Sequence, residues 1–171
     1  MGTPRLSSGG LFLIGASAWA GEATWDQVVQ ERLSSEAAAI HWQRDAPRAE
    51  MPLVPQSATF GLDEVTVSDA SGELLSLSFV RWGRDGHTQT VTTRQPRQGA
   101  CIAGLQVAMD GRCIRGLERD HGDITEWWVG LQTGLEQGWT IDTPPPGEGP
   151  IRLETAIDGA LLVEASGDQG W

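Results

Sequence analysis

Short apolar–polar alternations, broken by turn signals roughly every 8–12 residues, constrain this chain more than anything else in it. Leu75, Leu77, Phe79 and the neighbouring Arg81 alternate with Ser76, Ser78 and Val80. That period of two is the mark of a half-buried strand. Asp85-Gly86 then has hairpin chemistry, and His87 to Thr93 is a Thr-rich return strand. Thr59 to Ser68 reads as a strand, a tight turn and a second strand, followed by the turn cluster Asp69-Ala70-Ser71-Gly72. Ile102 to Met109, Arg112 to Leu117, Ile124 to Val129, Leu135 to Ile141, and Ile151 to Ile157 read as further strands. Asp158-Gly159 reads as a turn into Leu161 to Glu164. About ten short strands of this kind predict an all-β, sandwich-like fold of antiparallel sheets.

One segment departs from this period. Thr24 and Gln27 have capping-box spacing. Trp25, Val28, Val29, Leu33, Ala37 and Ile40 recur at helical spacing. A single N-terminal helix is expected over residues 24–39, its apolar stripe packed on the domain.

Residues 1–20 read as a signal peptide. Arg5 precedes the apolar run Leu11-Phe12-Leu13-Ile14, and Ala18-Trp19-Ala20 fits a small-x-small cleavage pattern. Residues 21–171 then form one β-rich domain. Its last residue, Trp171, directly follows the turn signal Gly167-Asp168-Gln169-Gly170, which reads as a C-terminal truncation. An exported chain permits a disulfide between Cys101 and Cys113. A hairpin turn at Asp110-Gly111 would place Cys113 opposite Ala108, so the bond would need a bulge or another register.

The chemistry on offer is sparse. The formal net charge is −11, which repels phosphate backbones and disfavours nucleic acid as a partner. No apolar run approaches the ~18 residues of a membrane helix. There is no G-x-S-x-G, H-E-x-x-H or P-loop motif, and no cofactor or metal site is expected. Asp120, His121 and Asp123 with Glu118 read as a charged turn. Glu126 and Glu136, each near a Trp, are the best carboxylate pair for glycoside chemistry. Trp127-Trp128 is the most unusual feature among the eight Trp residues. Neighbours on a strand face opposite sides, so one ring should enter the core. The other is free to cap a second layer or to stack on a sugar. Trp82 and Trp139 read as core or sheet-edge residues.

Gly122-Asp123-Ile124-Thr125-Glu126-Trp127-Trp128-Val129 and Gly134-Leu135-Glu136-Gln137-Gly138-Trp139-Thr140 carry a resemblance. They are similar to an N-terminal β-rich domain of unknown function in large secreted bacterial proteins. There the pattern is approximately T-E-W-[YW]-V followed by G-L-E-Q-G-[FW]-T, and FG-GAP-type or other β-propeller repeats commonly follow. The Pro144-Pro145-Pro146-Gly147 loop also fits. Gly130-Leu131-Gln132-Thr133 departs from that family's Asn-Gly-Pro turn. The resemblance implies no catalytic residues. It implies a non-enzymatic, extracellular structural or interaction module. Its partners would be downstream repeat domains, other surface proteins or carbohydrate. The alternatives are a carbohydrate-binding module using exposed Trp127 or Trp128, and a glycoside-active enzyme using Glu126 and Glu136.

Overall fold

The computed structural model describes residues 24–44, 46–92, 94–99 and 113–159. The expected signal peptide, Cys101, the 102–109 strand, the Asp110-Gly111 turn and the C-terminal residues lie outside them.

Helix α1 (Trp25–Ala37) starts where the capping signal places it. The Thr24 amide donates to Gln27 Oε1 at 2.8 Å, and the Gln27 amide donates to Thr24 Oγ1 at 3.4 Å. Those reciprocal bonds satisfy two amides that the first helical turn leaves over.

Eleven strands follow among the described residues: β1 (Ile40–Trp42), β2 (Pro47–Met51), β3 (Gln56–Phe60), β4 (Val65–Asp69), β5 (Gly72–Arg84), β6 (His87–Thr90), β7 (Arg97–Gln98), β8 (Gly116–Asp120), β9 (Ile124–Leu131), β10 (Gly134–Ile141) and β11 (Ile151–Gly159). They form two antiparallel sheets. The larger runs β1-β2-β3-β4-β5-β11, with β6 also on β5, and the smaller runs β10-β9-β8-β7. The protein is all-β and sandwich-like, with one short helix among the described residues.

Strand β5 organises the larger sheet. Its first half pairs with β4 and its second half with β6, while β11 runs along its other edge. Thr155 opposes Phe79, yet Glu154 opposes Arg81. The unpaired residue is Val80, a one-residue bulge that exchanges the faces of the strand beyond it. Trp82, not Arg81, therefore joins Phe79 on the inner face. Trp82 is buried and Arg81 is exposed beside Glu154 and Thr88. This corrects the inward placement of Arg81 that simple alternation implies.

The core has two parts. Ile40, Met51, Phe60 and Val65 of the larger sheet meet Leu117 and Trp128 of the smaller. Phe79 and Trp82 meet Ile124, with Trp139 and Ile141 alongside. Phe60 and Trp128 make an edge-to-face contact at 5.9 Å.

Three further expectations fail. The helix stripe does not pack on the domain. Trp25 is 78% exposed, and Val28 and Leu33 also face outward. Burial begins only at Ala38, where the chain leaves the helix. There the close approach is fixed by Gly130, where a Cβ would lie 2.2 Å from the Ala38 carbonyl oxygen. The strand expected from Arg112 instead begins at Gly116 and runs to Asp120. Asp158-Gly159 is no turn: both residues continue β11, opposite Ser76 and Leu75.

Candidate functional site

The most concentrated polar chemistry surrounds Glu126, at the centre of the smaller sheet. Alternation along β9 sends Ile124, Glu126 and Trp128 to the inner face. The antiparallel registers then fix the neighbours. Arg119 on β8 lies directly opposite Glu126, and Gln137 on β10 lies opposite Trp128.

Glu126 is 2% exposed. Its Oε1 accepts hydrogen bonds from Trp128 Nε1 at 3.0 Å and Gln137 Nε2 at 2.8 Å. Its Oε2 accepts from Arg119 Nη1 at 3.1 Å. Arg119, equally buried, also donates through Nη2 to the carbonyls of Gly61 (2.8 Å) and Glu64 (3.1 Å) in the β3–β4 turn. The ion pair therefore ties one sheet to a loop of the other.

His121 approaches from the β8–β9 turn, its side chain nearly buried. Its Nδ1 lies 2.8 Å from the Thr92 carbonyl. A carbonyl only accepts, so this nitrogen carries the proton. Nε2 faces Glu126 Oε2 at 3.6 Å, an ion-pair distance when the ring carries a proton there as well. Phe79 stands edge-on to the ring at 5.6 Å. His121 thus belongs to the interior and not to a charged turn, although Asp120 still caps that turn through the Gly122 amide.

Burial acts most strongly on the Glu126 carboxyl and raises its pKa. The His121 ring, the Arg119 charge and Gln137 together outweigh burial and hold it below the usual carboxylate range. The sign follows. A depressed native pKa stabilises the fold in full above the unfolded value of about 4.3, and that contribution is lost as pH falls through the native value. Urea midpoints measured against pH are expected to drop more steeply on the acid side in the wild type than in Glu126→Gln. Parallel curves would show that Glu126 does not carry the linkage.

Glu136 does not join this group. It opposes Val129, so it projects from the other face of the sheet. Glu126 and Glu136 thus lie on opposite faces of the sheet, not together as the glycoside-active alternative needs. Trp127 and Trp128 are separated in the same way. Trp128 is buried against Phe60, while Trp127 is half-buried on the opposite face. Its indole lies over Gly138, where a Cβ would sit 2.0 Å from the ring. Gly138→Ala is expected to cost about 1–3 kcal/mol by displacing that ring. A thermal melt and the Trp fluorescence maximum would check this, and unchanged values of both would mean the ring yields freely.

Sequence reasoning found Glu126 but not its partners. Glu126 stood out only as a carboxylate near a Trp, and the structure engages it with Arg119, Trp128 and Gln137. Cross-strand position, visible only with the register, brings Arg119 there. A cavity of about 660 Å³ lies beside the β8–β9 turn, lined by Leu62, Arg94, Gln95, Arg97, Asp120 and Gly122. Arg97 is already paired with Glu118. Among the described residues no cluster of His, Cys, Asp and Glu could hold a metal ion. Cys113 is disulfide-bonded, and the chain's other cysteine, Cys101, lies outside the described residues. The described residues also include no helix long and apolar enough to cross a membrane. In comparisons with known proteins, no family model, no curated protein and no solved structure matches the chain.

Proposed function

We propose that the chain is a non-enzymatic structural or interaction module of an exported protein, working through its surface and not through a catalytic cleft. One observation carries this reading. The buried charged pair, Glu126 and Arg119, is engaged inside the sandwich, whereas large apolar side chains stand outside on α1. Glu126 satisfies Arg119, Trp128 and Gln137. Trp25, Val28 and Leu33 meet no cover among the described residues. A helix of this length is marginal in water by itself, so an outward apolar face gains stability only from a partner. Export is supported by the bonded state of Cys113, since disulfides persist in oxidising compartments. The similarity of residues 122–140 to the N-terminal domain of secreted repeat proteins points the same way, and makes downstream repeat domains the first partners to test.

A photo-crosslinking residue at position 25, introduced in the native host, is expected to capture a partner from the exported fraction. Capture no greater than from position 63, an exposed loop site, would remove the support for α1 as the contact. The fold should not depend on that face. Trp25→Ala and Leu33→Ala are each expected to change stability by less than about 0.5 kcal/mol, which a urea titration would check.

A further inference from the structure

Strand β11 ends the larger sheet, and among the described residues nothing pairs with its outer edge. A free edge of this length is a template for another strand. Leu153 and Ile157 face inward on it, opposite Trp82 and Leu77. They are 37% and 48% exposed, because the smaller sheet does not extend over them. Arg152, Glu154 and Asp158 lie on the other face. Asp158 has no ion pair or hydrogen bond among the described residues.

We propose that this edge pairs with the same edge of a second copy of the chain, antiparallel and centred on Thr155. The strand is its own complement in that register. A two-fold axis at Thr155 sets Leu153 opposite the partner's Ile157 and Arg152 opposite the partner's Asp158. Each pair occurs twice. Directly opposed residues share a face, so the apolar pairs cover each other within and the ion pairs form outside. Glu154 meets the partner's Ala156, and no like charges oppose.

Neighbouring registers lack this fit. Centring on Glu154 sets that carboxylate against its own copy. Centring on Ala156 sets Glu154 against the partner's Asp158. Both arrangements oppose like charges and are disfavoured. Centring on Leu153 leaves Ile157 and Asp158 beyond the paired strand. Arg152 also reaches Asp85 within its own chain. A guanidinium has donors enough for two carboxylates. The pairing joins two larger sheets edge to edge and covers the apolar side chains that the smaller sheet leaves bare. It is independent of what α1 contacts.

Sedimentation velocity on the full chain, over a concentration series, is expected to show a monomer–dimer equilibrium. Arg152→Glu turns two attractive pairs into two repulsive ones and is expected to weaken the dimer on the order of tenfold or more. Adding Asp158→Arg to that variant restores opposite charges and should recover the dimer. Circular dichroism confirms that each variant is folded. Thr155→Cys provides a second route. Directly opposed Cα atoms in an antiparallel pair lie about 4.5–5.5 Å apart, within disulfide reach, so mild oxidation should cross-link the dimer.

A chain that stays monomeric throughout the series overturns the proposal. So does a dimer that charge reversal leaves unchanged, or that the double exchange fails to recover.

Discussion

Glu126→Ala is expected to lower the stability of the domain by about 3–5 kcal/mol, the cost of breaking a buried ion pair from one side. The charge removed is not the main loss. Arg119 stays behind, buried and without its counter-ion, still held by the Gly61 and Glu64 carbonyls. Trp128 Nε1 and Gln137 Nε2 lose their acceptor at the same time. An unsatisfied buried donor carries its own desolvation penalty of about 1–3 kcal/mol. Glu126→Gln keeps the shape and one acceptor, so its loss should be smaller. Urea unfolding followed by circular dichroism would measure both. A loss below about 1 kcal/mol for the alanine variant would mean that water already reaches Arg119, and that the network is not the anchor described here.

Trp128→Ala is expected to cost about 3–5 kcal/mol for a different reason. Its indole fills the space between the sheets against Phe60, and its removal leaves a cavity that rigid strands close only in part. Trp128→Phe separates the two contributions. Phenylalanine retains most of the volume but cannot donate to Glu126. The residual loss should then fall to about 1.5–3 kcal/mol, as for a hydrogen bond to a charged group. Denaturant midpoints for both variants, with a Trp128→Phe/Glu126→Gln double-mutant cycle, would test this. Additivity in the cycle would show that the two side chains are not coupled. The contrast with Trp25, where truncation should be nearly silent, distinguishes a Trp that holds the fold from one offered to a partner.

Much of this fold was legible in the sequence. Thr24 and Gln27 marked the helix start because capping is local chemistry. Asp85-Gly86 and the alternations of Leu75 to Phe79 and Ile124 to Val129 marked hairpins and strands for the same reason. What was not legible depends on which strand lies beside which. The bulge at Val80 exists only in the pairing of β5 with β11, so Arg81 and Trp82 exchanged places against the pattern. Arg119 lies beyond the strand expected to end at Leu117, within what reads as a charged turn, so neither its face nor its partner was legible. Asp158-Gly159 has turn chemistry, yet ladder bonds to β5 carry the strand through it. The helix stripe was legible as a stripe. Its exposure was not, since periodicity says that a face is apolar and does not say what covers it.

The bulge at Val80 also sets how this chain can tolerate change in length. Loops accept insertions and deletions because they carry little pairing information. β5 is shared by three neighbours, and its two halves face the core with opposite parity only because of one extra residue. Losing that residue would turn Trp82 outward and Arg81 inward while leaving every side chain's identity intact. A lineage carrying this domain can therefore drift in composition along β5 more freely than in length. Aligned relatives should keep the spacing from Phe79 to Trp82 even where the residues between them differ.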